Sequence, residues 1–321
     1  MRIAFTSCCD PVNDAEQATW RVLAEQQPQH LVLLGDNIYM DYKFGDHLEN
    51  GEPRGKPPAE FSALMHGYYT RQWAVPAFRS AVQAPTVHAI WDDHDFAWNN
   101  SRGGEPASGD DFVPPERRRL SRTLFEQFRQ ALVDKPAAYP PNPCADGQAA
   151  ADLGGIQRTI DLAPGVRLHL LDGRSFRQAA GKDASLLGAD QRSQLERNLL
   201  PEPGVNLIAS GTTLDDWNDH SDYSWLKEVS KTRRLLVLSG DIHKPRFRNR
   251  LGLFGFKPGR WFEATASAMA QPPKVTAVFG RKTGVFGVLD VSATELTIAL
   301  WRGDAPLESH TIELAGWTLS G

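Results

Sequence analysis

Cysteine is scarce in this chain: three in 321 residues, two of them adjacent (Cys8 and Cys9) and one distant (Cys144). That number excludes a disulfide framework and reads as reduced thiols. Long hydrophobic runs are missing too, since nothing approaches the roughly 20 apolar residues a membrane-spanning helix needs. Met1-Arg2 leads at once into a short strand-like run followed by polar Asp10, Asn13 and Asp14, which is not the pattern of a secretion signal. A cytoplasmic protein is therefore expected, and the Asn99-Asn100-Ser101 sequon reads as chance. Nor is there an excess of positive charge. The formal net charge of −4 gives no broad pull toward nucleic acid or an anionic membrane. An anionic substrate must instead be drawn by local cations or by bound metal. Internal repeats, heptads and low-complexity tails are also absent. The remaining composition, 41% hydrophobic and 23% charged, is ordinary for a globular protein with an adequate core. A chain of 321 residues can form one large α/β unit, so a single domain over residues 1–321 is expected.

What the chain does have is a recurring design: an apolar run that stops abruptly at residues able to hold a metal. Arg2–Thr6 ends at Ser7-Cys8-Cys9-Asp10. His30–Leu34 ends at Gly35-Asp36-Asn37-Ile38-Tyr39. Val87–Trp91 ends at Asp92-Asp93-His94-Asp95, and Leu235–Leu238 ends at Ser239-Gly240-Asp241-Ile242-His243. In open α/β sheets ligands bind just beyond the carboxyl ends of strands. Four such ends delivering carboxylates, a thiol, a phenol and imidazoles predict one polynuclear metal site. Asp36 and Tyr39 lie within one turn of each other and can reach one ion. A phenol, with a reference pKa near ~10, ligates well only to a strong Lewis acid. Cys8 adds a softer thiolate. Together they argue for trivalent iron, with Asp93, Asp241 and His243 extending the set. So many converging negative charges are not tolerated unpaired. One trivalent and one divalent cation would roughly neutralise them, with Asp36 as the bridging ligand. Two metals clamping the attacking and leaving oxygens suit in-line displacement at phosphorus.

Each piece has a plainer reading. A lone Gly-Asp after a strand is usually a turn, and a lone Asp-x-His is no more specific. Cys8-Cys9 alone suits a structural role, and tetrahedral zinc sites prefer C-x₂₋₄-C spacing. His88 and His169 sit inside strand-like runs as satisfied core groups. His47 and the other scattered histidines carry weak cases. His220, near a strand end, can line the pocket and protonate a leaving group. Only the combination is specific, because all four clusters follow apolar runs.

Elsewhere the sequence alternates strands and helices. Asn13-Asp14-Ala15-Glu16 has the spacing of a capping box ahead of a helix through Val22 and Leu23. Strand, helix and strand in that order predict a right-handed crossover in a mostly parallel sheet. Tyr42–Pro58 reads as a loop, and Ala59–Val82 as a helix kinked or split by Pro76. Glu116–Val133 is a basic amphipathic helix. Gln157–Leu162 and Val166–Leu171 form a hairpin about Ala163-Pro164-Gly165. Ala189–Leu200 and Ser221–Val229 are helices and Val205–Ser210 a strand. The tail is stranded: Trp261–Thr265, Gly284–Val291, Glu295–Trp301 and His310–Leu314. The expected class is α/β, with two packed sheets covered by helices.

Six pieces in order carry a resemblance: Phe5-Thr6-Ser7-Cys8, Leu34-Gly35-Asp36-Asn37-Ile38-Tyr39, Trp91-Asp92-Asp93-His94-Asp95 with Asn99, Leu171-Asp172-Gly173-Arg174-Ser175-Phe176-Arg177, Leu187-Gly188-Ala189-Asp190-Gln191, and Leu238-Ser239-Gly240-Asp241-Ile242-His243. In these the chain resembles the alkaline phosphatase D-like metallophosphatases, within the wider calcineurin-like and purple-acid-phosphatase-like grouping. The resemblance implies two mixed sheets flanked by helices in four layers and a two-metal hydrolytic site. It makes Cys8, Asp36, Tyr39, Asp93, Asp241 and His243 metal ligands, favouring Cys8 over Cys9 and Asp93 over Asp92. Asn99 becomes a further ligand or phosphate contact. His94 and Arg174 would stabilise the phosphoryl oxygens, and Asp172 would orient Arg174. It also implies Fe3+ with a divalent partner, Ca2+ foremost and Mn2+ or Zn2+ as alternatives. Leu214–Trp225 departs from the family's aromatic-acidic stretch. The resulting expectation is a phosphoric monoesterase or diesterase with a metal-activated hydroxide as nucleophile, His220 or His94 as acid, and nucleic acid relevant only as a diester substrate. The alternative is a catalytically silent metal or phosphate-ligand binder on the same fold.

Overall fold

A computed structural model describes residues 1–12, 14–41, 53–149, 154–249, 261–270 and 283–320. Among these residues the strands form two mixed sheets. The first is built on three parallel neighbours, β1 (Arg2–Thr6), β2 (His30–Leu34) and β3 (Thr86–Ile90). Parallel pairing requires a crossover, and α1 (Thr19–Glu25) supplies the first one. α2 (Pro58–Ala74) and α3 (Pro76–Ala81) lie on the second. Residues before proline avoid the helical region. Val75 is accordingly extended, and Pro76 opens the next helix, as expected of this split.

On the other side of β1 the chain returns at its far end. β10 (Val285–Val291) pairs antiparallel to β1, and β11 (Glu295–Arg302), β12 (Ala305–Glu313) and β13 (Thr318–Leu319) complete the sheet in the order β13-β12-β11-β10-β1-β2-β3. The second sheet runs β4-β5-β6-β7-β9-β8. It contains β4 (Arg158–Ala163), β5 (Val166–Leu170), β6 (Val205–Ser210), β7 (Arg234–Ser239), β8 (Arg246–Asn249) and β9 (Trp261–Thr265). Here β5, β6, β7 and β9 are parallel, with antiparallel hairpin partners at both edges.

The two sheets pack face to face, β2 on β6 and β3 on β5. Strand β7 shows why its sequence is continuously apolar. Leu236 and Leu238 enter the core shared with Phe5, Leu34 and Leu168, while Leu235 and Val237 face a second cluster with Leu195, Leu214, Trp217 and Leu226. A strand covered on both faces needs apolar residues at every position. The second cluster lies under α6 (Ala189–Asn198), α7 (Leu214–Trp217) and α8 (Ser221–Val229). Against the other sheet, α5 (Pro115–Asp134) packs on β3. The result is the expected α/β arrangement of two sheets between layers of helix. Among the described residues no helix is long and apolar enough to cross a membrane.

Some boundaries differ from expectation. The helix after β1 starts at Thr19, and Ala18 makes no side-chain cap. Asp14 instead accepts the Gln17 amide at 2.8 Å, and the Gln17 side-chain amide joins Gln72 and Trp20 in a buried network. Tertiary contacts thus override the local capping signal. Strand β12 begins earlier than His310, and β8 was not foreseen, because Arg-Phe-Arg-Asn on a sheet edge has no apolar alternation. His47 and most of the expected Tyr42–Pro58 loop lie outside the described residues.

Two core histidines behave as expected. His169 lies between Asn206 Oδ1 at 3.1 Å and Thr159 Oγ1 at 3.3 Å, and His88 Nε2 lies 3.2 Å from His30 Nδ1. Burial pushes both His88 and His169 down to about 4. A depressed histidine contributes stability that is present above its unfolded value near 6.5 and is lost as pH falls through the folded value. Thermal midpoints are therefore expected to drop between pH 6.5 and 4, less steeply in a His88→Gln/His169→Gln double variant. An identical acid profile in that variant would contradict the assignment.

Candidate metal and phosphoester site

The carboxyl ends of β1, β2 and β3 in one sheet and of β5, β6, β7 and β9 in the other open onto the same edge of the sandwich. The loops there are tied to one another by backbone bonds: Cys8 N to Gly35 O at 3.3 Å, Cys9 N to Asp36 O at 2.8 Å, Met269 N to Ser7 O at 3.0 Å, and Gly240 N to Gly211 O at 3.1 Å. Four of the residues singled out in these loops have left-handed backbones: Cys8 (φ 65°), Asp36 (φ 50°), Asp241 (φ 69°) and His243 (φ 52°). A non-glycine residue there costs on the order of 1 kcal/mol or more, and such strain gathers at functional sites. The turns reverse the chain sharply enough to aim all four side chains back over the strand ends.

Three groups of ligand atoms result, within each of which the atoms lie no more than 4.8 Å apart: Cys8, Asp36 and His243; Asp36, Asp93 and His94; and Asp36, Asp92 and Asp241. Asp36 belongs to all three. Its Oδ2 accepts from the Tyr39 hydroxyl at 3.0 Å and from Cys8 Sγ at 3.4 Å, and the Tyr39 hydroxyl also lies 3.2 Å from His243 Nε2. The structure therefore brings together Cys8, Asp36, Tyr39, Asp93, His94, Asp241 and His243. Cys9 packs in the apolar core instead, which agrees with the preference for Cys8.

Asp92 joins this group, although sequence reasoning passed it over for its neighbour. It is almost wholly buried, boxed in by glycine. A Cβ at Gly35 would meet Asp92 Cβ at 2.6 Å, and one at Gly211 would meet Asp92 Oδ1 at 2.6 Å. Only residues without a side chain leave room for this carboxylate. Gly35, at φ 92°, needs glycine for its backbone as well.

Arg174 is placed differently from expectation. Its Nε donates to Asp92 Oδ1 at 2.6 Å, Nη2 lies 3.6 Å from Asp93 Oδ1, and Nη1 reaches Ser101 O at 3.4 Å. The guanidinium is buried as the counter-charge of two carboxylates. Asp172 does orient Arg174, through the backbone: its Oδ1 accepts the amides of Arg174 at 3.0 Å and Ser175 at 2.8 Å, and the indole of Trp91 at 2.9 Å.

His220 is not among the residues that these ligand groups bring together. Its Nδ1 faces Asp216 O at 3.4 Å and its Nε2 faces Gln178 O at 3.2 Å, so the ring secures the start of α8 to two backbone carbonyls. His94 is better placed. Its Nδ1 lies 2.6 Å from Asp41 Oδ1, and its ring packs on Tyr39 with centroids 4.3 Å apart. Asp41, which the sequence reading did not single out, also accepts the Asn99 amide at 2.5 Å, so Asn99 sits exposed at the rim. Asp95 completes the frame: its carboxylate accepts from the Asp92 amide and from both nitrogens of Asn37, joining the loops after β2 and β3.

The electrostatics are those of too many acids in too little water. Burial, reinforced by Cys8 and Asp93, pushes the Asp36 carboxyl well up. Burial also raises Asp92 to about 8, against the pull of Arg174, and Asp241 to about 6 with help from Asp93. Burial opposes ionisation of Asp93 as well, but Arg174, His94 and the Asn100 amide hold it below the usual carboxylate range. For His94, burial opposes the charge, yet Asp93, Asp41 and Asp36 outweigh it and hold the ring well above its ordinary value. Ionised together, as metal ligands must be, Asp36, Asp92, Asp93, Asp241 and Cys8 would outnumber Arg174 and protonated His94; without a metal, burial keeps Asp36 and Asp92 protonated instead. Asp92 Oδ2 and Asp93 Oδ1 are buried with no hydrogen-bond partner among the described residues. Buried orphan oxygens facing a ring of acids are what cations would satisfy, so these residues fit a metal site.

Comparison with known proteins bears on the same features. A family model described as PhoD-like phosphatase matches residues 3–222. The solved structure of PhoD superposes with a TM-score of 0.69 at 17% identity, covering 100% of this chain and 71% of that one, which supports the fold. A predicted phosphoesterase from Streptococcus pneumoniae TIGR4 (8% identity, TM-score 0.32, 97% of each chain) is far more distant. So is the protein TT1561 of Thermus thermophilus (11% identity, TM-score 0.40, 99% and 96%). No curated protein matches. With the family model covering more than half of the chain, through the strand ends that supply Cys8, Asp36, Asp93 and Arg174, this chain belongs to the PhoD-like phosphatases and is a hydrolase of phosphoric esters.

Proposed function

We propose that the strand-end cluster is a dinuclear metal centre that hydrolyses phosphoric mono- or diesters, with the whole chain acting as one catalytic unit. The observation that carries this reading is Asp36, whose carboxylate is common to all three potential ligand groups. Cys8, Asp36, Tyr39 and His243 would hold one ion. Asp36, Asp92, Asp93 and Asp241 would hold the other. The thiol and phenol favour Fe3+ at the first position, and the all-carboxylate surroundings favour Ca2+ at the second, with Mn2+ or Zn2+ as substitutes. Such ions, when bound, supply Lewis acidity toward phosphoryl oxygen and a nucleophile at neutral pH.

The protein's own groups do the rest. His94, kept charged by Asp41 and Asp93, stabilises charge on the phosphoryl oxygens and passes its Nε2 proton to the departing alkoxide. Asp41 fixes the ring through Nδ1. Arg174 works one step back, holding Asp93 ionised and Asp92 in place. Asn99, on the rim beside Asp41, contacts the phosphate. Trp91, Phe96 and the glycine-lined floor keep water out beneath the carboxylates. Nucleic acid enters this reading only as a diester substrate.

The test is hydrolysis of a chromogenic monoester and diester by protein loaded with iron plus calcium, manganese or zinc. Turnover of one of them, lost on chelation, is expected. Tyrosinate on ferric iron should also colour the loaded protein. Failure to hydrolyse either ester under every loading would leave a silent binder, and a colourless, iron-free, active enzyme would refute iron.

A further inference from the structure

The sulfur of Cys8 has two hydroxyl neighbours besides Asp36. Ser267 Oγ lies 3.1 Å from Sγ and Ser7 Oγ lies 3.3 Å from it. Both serines are buried, Ser267 completely. Their other partners separate them. Ser267 Oγ also accepts the His243 amide at 2.9 Å, and either it or Cys8 Sγ can be the donor in their contact. Ser7 Oγ has a second acceptor, Ala266 O, at 3.4 Å. As a thiol Cys8 donates to Asp36; as a metal-bound thiolate it would have no proton and could only accept, leaving the donor role to the hydroxyls. The Ser267 hydroxyl touches two supposed ligands of one ion, since His243 and Cys8 share a ligand group with Asp36. It also ties down the His243 backbone at φ 52°. Ser267 follows β9, a strand end that supplies no ligand of its own and lies beyond the residues matched by the family model.

We infer that Ser267 is a positioning residue of the metal centre. Its hydroxyl donates to the Cys8 thiolate and accepts the His243 amide, setting the electron-donating strength of the sulfur and the placement of the imidazole together. Hydrogen bonds to a ligating sulfur withdraw electron density from it, and partners behind the ligands typically govern about 10–100-fold in metal affinity. The inference rests on the metal-centre reading above.

The experiment uses Co²⁺ alone as the probe, titrated into the full chain after chelation, with the near-ultraviolet thiolate-to-cobalt charge-transfer band as the readout. Wild-type protein is expected to show the band. Ser267→Ala should move it to lower energy and weaken cobalt binding by about ten-fold or more. Ser267→Thr, which keeps the hydroxyl, should restore both. If Ser267→Ala does not fold, Ser267→Val, which has the shape of the threonine variant without its hydroxyl, must give the shift. A band unmoved in Ser267→Ala, or in Ser267→Val where that variant stands in for it, overturns the role of Ser267 alone. So does a Ser267→Thr variant that shifts as far as Ser267→Ala. Absence of the band in wild-type protein overturns Cys8 as a ligand, and with it both readings.

Discussion

Asp36→Asn is expected to abolish ester hydrolysis while leaving the chain folded, and metal-free variant protein should be no less stable than wild type. The first part follows from position. Asp36 is shared by all three ligand groups, so losing its charge weakens each of them. Partners behind a ligand cost about 10–100-fold when removed; a ligand common to both ions should cost more. The second part follows from charge. Asp36 sits buried against Cys8, Asp93 and Asp92, and its carboxyl is pushed well above its usual value, so its ionised form is a burden to the metal-free fold. Asparagine has the same shape without that charge, and its oxygen can still accept from Tyr39. The checks are turnover, bound metal per chain, and denaturant melts with and without chelator. Wild-type turnover, or full metal content in the variant, would defeat the assignment of Asp36 as the bridge.

Arg174→Met should act the opposite way, chiefly on the metal-free protein. The guanidinium is buried between Asp92 and Asp93 and bonded to the former at 2.6 Å. Removing one partner of a buried ion pair leaves an uncompensated charge and costs roughly 3–5 kcal/mol. Here two carboxylates would lose their partner, and Asp93 would no longer stay ionised so far below the ordinary range. The unfolding free energy from denaturant melts under chelation should fall by that amount at neutral pH, with a matching drop in midpoint. Added divalent cation should recover most of the loss, because a metal replaces the missing charge. A variant with wild-type stability under chelation but no turnover would instead make Arg174 a substrate contact, as the family resemblance alone implied.

These two residues also mark what could be read without a fold. Asp36 was legible as the residue common to the potential ligand groups, because it follows an apolar run and stands three residues from a phenol. Cys8, Asp93 and Asp241 were legible for the same reason. A strand's periodicity announces where it ends, and in a parallel sheet its end is where ligands go. Arg174 was visible only through resemblance, which assigned it to the phosphoryl oxygens; its bond to Asp92 was not legible, since nothing local says which aspartate an arginine from another sheet will meet. His220 was singled out for lying near a strand end; the carbonyls its ring meets belong to Gln178 and to Asp216 of α7, which local spacing does not bring together. Asp41 lies in the same loop as Tyr39 but carries no pattern of its own.

The amino-acid sequence by itself determined the two sheets, the edge on which the candidate site lies and most of the residues gathered there, because alternation, apolar runs and turn residues act within a few positions of one another. Only the tertiary structure decided which polar groups meet: Arg174 with Asp92, Asp41 with His94, and the Ser267 hydroxyl with Cys8. Those pairings join residues from 53 to 259 positions apart. They depend on where two twisted sheets bring their loops together in space, and no local spacing encodes that.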